Sequence, residues 1–114
     1  MTPHPIKLRF RKADKVLRAE FDNDETFDIP FELLRVESPS AEVQGHGGQR
    51  PPPVTGKADI GVERAEPVGQ YAIRIVFDDG HDSGFFTWSK LYDFGKNSEA
   101  LMAAYRRRVA EHAA

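Results

Sequence analysis

Apolar and polar side chains alternate with period two through the first thirty residues. Ile6, Leu8 and Phe10 alternate with Lys7, Arg9 and Arg11, the pattern of a half-buried strand with three inward positions. After Lys12-Ala13-Asp14-Lys15 the alternation resumes, with Leu17, Ala19 and Phe21 on one face and Arg18 and Glu20 on the other. Asp22-Asn23-Asp24-Glu25 predicts a turn, because short polar side chains bond to their own backbone there. Phe27 and Ile29 supply a third short strand. Pro30 suits the first position of a helix of about two turns carrying Phe31, Leu33 and Leu34.

Residues 44–57 hold four Gly and three consecutive Pro, which forbid both helix and sheet ladder, so a mobile surface loop within one domain is expected, most exchangeable over 46–56. Strands then return. Ile60 and Val62 open one, and Tyr71, Ile73, Ile75 and Phe77 give four inward positions with Arg74 and Val76 opposite. Asp78-Asp79-Gly80 signals a turn. Thr87 can cap a short helix carrying Trp88, Leu91 and Tyr92, closed by Gly95, with Trp88 largely buried against Ile73 and Ile75. Asn97 can cap a final helix over about 98–112 that turns Leu101, Met102, Tyr105 and Val109 inward. Arg106, Arg107 and Arg108 near its end complement the helix dipole. An internal echo runs through this order. Phe21-Asp22, a turn, Phe27 and a helix are matched by Phe77-Asp78, a turn, Phe85-Phe86 and a helix, although no fixed-period repeat accompanies them.

The expected fold is therefore α+β: a single domain with a small, mostly antiparallel sheet and short helices packed on it, its core spanning about residues 5–95. The chain has 114 residues, 39% hydrophobic and 30% charged, enough apolar material for one core and too little for two. The net charge of −2 offers no global attraction to nucleic acid or an anionic membrane. No apolar run approaches the ~20 residues of a membrane span, and Met1-Thr2-Pro3-His4-Pro5 lacks the features of a signal peptide, so a cytoplasmic protein is expected. The absence of cysteine excludes disulfides, thiolate catalysis and cysteine zinc sites.

Charge is segregated locally. Residues 5–18 hold six basic side chains against Asp14, and residues 20–42 hold eight acidic ones against Arg35. Opposite charges paired across the solvent face of adjacent strands account for this at a few tenths of a kcal/mol per pair. A phosphate-binding role for the basic strand is the weaker alternative, since no aromatic residues interleave its basic face.

Several catalytic motifs fail on inspection. Gly80-His81-Asp82-Ser83-Gly84 gathers His, Asp and Ser, but His81 stands two before Ser83, where a nucleophile elbow needs Gly. A tight turn explains the segment better. Gly56-Lys57 is followed by Ala58 rather than Ser or Thr, and Pro51 occupies the first Gly position of a P-loop. The His-x-Asp/Glu start of an oxygenase iron triad is absent at both His46 and His81. His4 and His112 near the termini are assigned to solvent. His46 beside Glu42, and His81 beside Asp78, Asp79 and Asp82, remain as a divalent-metal set for iron or zinc. His46 and His81 would be the ligands, with Asp79, Asp82 and Glu42 in support.

A larger pattern runs through the chain: Glu32-Leu33-Leu34-Arg35-Val36-Glu37-Ser38-Pro39-Ser40-Ala41-Glu42-Val43-Gln44-Gly45-His46-Gly47, then Pro67-Val68-Gly69-Gln70-Tyr71-Ala72-Ile73, then Phe77-Asp78-Asp79-Gly80-His81-Asp82-Ser83-Gly84 and Trp88 with Leu91. Together these resemble the gamma-butyrobetaine hydroxylase-like N-terminal domain family. The resemblance implies a domain that precedes the oxygenase domain of carnitine-biosynthesis hydroxylases, is joined to P-loop ATPases of iron–sulfur cluster assembly, or stands alone. It further implies a scaffold with three Cys and one His as zinc ligands, His81 matching the His and the Cys positions falling near Ser38, Ser40 and Val43, where this chain has none. The expected function is a non-catalytic accessory module serving an iron–sulfur or oxygenase protein partner as a monomer or homodimer, without nucleic acid or membrane and with no cofactor required for folding. A metal-binding protein using His46 and His81 is the alternative, and an enzyme is disfavoured.

Overall fold

A computed structural model describes residues 3–38, 54–82 and 84–113. The element order is β1 (Pro5–Arg11), β2 (Val16–Phe21), β3 (Thr26–Pro30), α1 (Phe31–Val36), β4 (Val62–Val68), β5 (Ala72–Phe77), β6 (Gly84–Thr87) and α2 (Trp88–Ala113). The fold is α+β, as the pattern predicts. Its strands divide into two antiparallel sheets, β1-β2-β3 and β4-β5-β6, rather than one. No helix among the described residues is long and apolar enough to cross a membrane.

The internal echo is structural. Each half is a three-stranded meander followed by a helix, and the backbone hydrogen bonds recur at matching places. Phe21 N donates to Glu25 O at 2.8 Å, and Phe77 N to His81 O at 2.9 Å. Asp24 N donates back to Phe21 O and Gly80 N back to Phe77 O. The first residue of each helix donates its N–H to the residue before the middle strand: Phe31 to Lys15 O, Trp88 to Tyr71 O, both at 2.9 Å. Asp24 and Gly80, at corresponding turn positions, both have positive φ, 69° and 89°. Glycine adopts that conformation freely, and Asp tolerates it.

The first strand of each half also carries an irregularity at its start, between Pro5 and Lys7 in β1 and between Val62 and Arg64 in β4. The extra residue in β1 is Ile6. It has no partner in the ladder and is 69% exposed, so the inward position expected for it is corrected. Tyr71 is corrected likewise: it precedes β5, where the pleat no longer holds it under the sheet, and is 61% exposed.

One core joins the halves. Leu17, Ala19, Phe21 and Ile29 from the first sheet meet Ile73, Ile75, Phe77 and Phe86 from the second, with Phe31, Leu33, Leu34 and Leu91 from the helices. Trp88 is half-buried rather than largely buried, because its indole sits at the rim and donates Nε1–H to Gln70 O at 2.9 Å. Thr87 caps its helix as expected, its Oγ1 accepting from Lys90 N at 3.1 Å.

The two C-terminal helices expected from the sequence run end to end as α2, with the break between them at Asn97 (φ −115°, ψ 16°), the residue expected to cap the second. The Asn97 amide there donates to Asp93 O at 3.0 Å, occupying a carbonyl near the break in the helical ladder. The first of the two helices runs two residues past Gly95, the end expected from the sequence. That glycine lies where α2 presses on β3, and a Cβ there would fall 2.6 Å from the Phe27 ring.

The surface charges pair across strands. Arg18 faces Asp28 in register and binds it through two nitrogens at 2.8 and 3.0 Å. Arg11 instead pairs locally, with Asp14 in the turn that follows β1.

Candidate functional site

The turn between β5 and β6 is built by its backbone. Gly80 takes the positive φ, and Asp78 N donates to Gly61 O at 2.9 Å, pinning the turn to the chain before β4. At Gly61 a Cβ would lie 2.6 Å from Asp78 Oδ2, so the approach requires glycine or a shift of that carboxylate. Asp79 Oδ1 accepts from the backbone N–H of His81 at 3.1 Å, the side-chain cap expected of a tight turn.

Two separate segments converge on this turn. From α1, Arg35 Nε donates to Asp79 Oδ2 at 2.9 Å; from the segment before β4, Lys57 Nζ reaches the same oxygen at 2.6 Å. These side chains are mostly buried: 14% exposed for Arg35, 22% for Lys57 and 20% for Asp79. Helix α1 ends as Glu37 N donates to Leu33 O and Ser38 N to Arg35 O, which tucks Ser38 beneath the turn. There Ser38 Oγ lies 2.9 Å from His81 Nε2, and the His81 ring stacks at a tilt on Phe77, 6.0 Å between centroids. Arg108 of α2 binds Glu37 at 3.1 Å and fastens the long helix to the same corner.

The electrostatics follow from this packing. Partial burial alone would raise the Asp79 carboxyl, but the Lys57 ammonium, the His81 N–H and the Arg35 guanidinium outweigh it and hold Asp79 well below the usual carboxylate range. His81 is pushed down, first by burial and then by Arg35, with Asp79 and Asp82 opposing; the imidazole is kept neutral.

Of the residues marked in the sequence, the structure joins His81 and Asp79 in one turn and leaves Asp82 exposed beside them. Glu42 and His46 lie outside the described residues, as does the loop segment 44–53. Among the described residues no three His, Asp or Glu side chains gather as a metal would require. The described part of the implied zinc set does not fit zinc. Ser38 offers a neutral hydroxyl and is bonded to His81, while the nearest carboxylate is already held by two cations.

Sequence reasoning passed over Arg35 and Lys57. Arg35 had a signal, as the one cation in the acidic stretch 20–42; Lys57 had none, since only folding brings it to Asp79. A shallow cleft of about 270 Å³ adjoins the site, lined by Glu32, Thr55, Lys57, Tyr105, Arg106 and Val109. It is smaller than an ordinary small-molecule pocket of roughly 300–1,000 Å³.

The model for "Gamma-butyrobetaine hydroxylase-like, N-terminal" matches residues 8–92. A protein solved by solution NMR is 42% identical, with a TM-score of 0.83, covering 99% of this chain and 89% of that one. A crystal structure of a protein of unknown function from Acidithiobacillus ferrooxidans, assigned to the DUF971 family, is 33% identical, with a TM-score of 0.63, covering 77% of this chain and 88% of that one. No curated protein matches the chain. The matched span, the identity to both structures and the shared fold agree: this chain belongs to the gamma-butyrobetaine hydroxylase-like N-terminal domain family.

Proposed function

We propose that the chain acts as a non-catalytic accessory module that binds a protein partner of the iron–sulfur or oxygenase class. The observation carrying this reading is the use made of the polar cluster around Asp79. Both carboxylate oxygens accept hydrogen bonds, from Arg35, Lys57 and the His81 backbone, and the His81 ring is engaged by Ser38. A group poised for general acid–base work would point an acceptor or proton at a substrate. Here the polar groups instead fasten α1, the segment before β4 and the β5–β6 turn into one rigid corner. Rigid corners of this kind suit a scaffold that presents a fixed surface.

Capture with the full chain as bait, repeated in chelator and quantified by mass spectrometry, tests this. The expected result is one recurrent, stoichiometric partner of that class, retained when metals are removed. Capture without a recurrent partner would overturn the reading.

A further inference from the structure

In both halves the third residue of the middle strand is an arginine, Arg18 in β2 and Arg74 in β5. Its partner across the ladder differs. In the second half Glu66 of β4 faces Arg74 in register and binds it at 3.0 Å, while Arg64 of the same strand also binds Glu66. In the first half the corresponding place in β1 holds Arg9, which faces Arg18. Like charges directly opposed in a ladder are destabilising. Arg18 is relieved by Asp28 on its other side; Lys7 and Arg9 are exposed and make no ion pair among the described residues.

Strand β1 is also the edge of its sheet, so a row of its backbone groups faces outward. Natural edges are blunted by charge, Pro or bulges, and β4, the matching edge, has both Pro67 within the strand and neutralised charge. In β1 the Pro and the bulge both stand at its start, at Pro5 and Ile6, leaving Lys7 to Arg11 in regular register, with Leu8 and Phe10 half-buried at the rim of the core below the exposed cations. The edge thus offers backbone pairing, cations on one face and incompletely covered apolar side chains on the other.

From this contrast we infer that β1 is a docking edge for an extended, acidic segment of a partner protein, added as a fourth strand with carboxylates facing Lys7 and Arg9 and apolar residues facing Leu8 and Phe10. The inference rests on the accessory-module reading and names the partner's chemistry. A second copy of this chain is a poor occupant, because pairing β1 with itself would bring Lys7, Arg9 and Arg11 of both copies together. Single-stranded nucleic acid is disfavoured too, since no aromatic side chain shares the cationic face.

The test is titration of the isotope-labelled full chain with an eight-residue peptide alternating Glu and Val, read by amide shifts and anisotropy. Shifts should concentrate on residues 5–12, and the Lys7→Gln/Arg9→Glu variant should bind at least about tenfold more weakly. That variant should melt no lower than the native chain, because Arg9→Glu recreates the Glu66–Arg74 pairing and Lys7→Gln sets a neutral amide opposite Glu20, so weakened binding will not be mistaken for unfolding. Shifts centred elsewhere, equal binding of a peptide alternating Lys and Val, or tighter binding of a thymidine oligonucleotide would each overturn strand addition. So would capture of the recurrent partner as efficiently by the double variant as by the native chain, an outcome that leaves the module reading standing.

Discussion

The two halves share strand order, turn hydrogen bonds and the place of the bulge, yet they spend their side chains differently. Strand β2 alternates: Leu17, Ala19 and Phe21 are buried while Val16, Arg18 and Glu20 are partly exposed. Strand β5 is buried on both faces, with only Arg74 of its six residues partly exposed. The turn after β2 is tied to α2 through Tyr92, whose hydroxyl donates to Glu25, and Tyr92 itself packs edge-on against Phe21 at 5.2 Å and Phe27 at 5.6 Å. The turn after β5 is tied to α1 through Arg35–Asp79 and Ser38–His81. Each turn is thus held by the other half's helix. That exchange makes the duplication one cooperative domain: neither meander carries its own lock.

The sharpest way to break the symmetry is at the first residue of each helix. Phe31 is fully buried whereas Trp88, at the corresponding place, is half-exposed. Phe31→Ala is expected to cost about 4 kcal/mol, and Trp88→Ala about half as much, as ΔG of unfolding in urea. Equal losses would show that the halves are packed alike there.

The next effect is at the corner site. Asp79→Asn removes the charge facing two largely buried cations and should cost about 2 kcal/mol, with a matching drop in the urea midpoint. Glu25→Gln, in the more exposed turn of the other half, should lower the urea midpoint less than Asp79→Asn does.

Smaller still is a pH effect confined to the second half. The fold holds His81 neutral, with its pKa below the ordinary value of about 6.5, so the unfolded chain binds the proton more readily. His81 therefore contributes stability that is fully present above pH ~6.5 and is lost as pH falls through the lower folded value. Melting temperature should decline over that interval in the native chain and decline less in His81→Gln.

A chelator should leave the melting curve of the untagged chain unchanged, since a metal held only by the folded state would raise its stability. A chelator-induced fall in melting temperature would place a metal ligand set in the chain after all.

Much of the first meander was legible because its strands are half-buried, and burial of one face writes itself as period-two alternation in residues such as Leu17, Ala19 and Phe21. The turns were legible for the same local reason: Asp-Asn-Asp and Asp-Asp-Gly carry their own backbone bonding. The family, too, was readable from ordered motif pieces. Ile6 and Tyr71 were misplaced because a bulge and a strand end shift the pleat without changing the residue pattern. Gly95 marks the end of a helix to within two residues, but the reason glycine is needed there, the approach of Phe27, is invisible in sequence.

Of the candidate site, His81 and Asp79 could be marked from the turn they occupy, while their partners could not. Arg35, Ser38 and Lys57 are far from residue 79 along the chain, and nothing local encodes a contact made only when α1 closes over the second sheet. The sequence by itself determined the local elements, since propensity, alternation and turn chemistry act over a few residues. Tertiary structure alone decided how the strands divide into two sheets, that Arg9 faces an arginine where Glu66 faces one, and which cations hold Asp79, because register and long-range electrostatics exist only between segments already packed together.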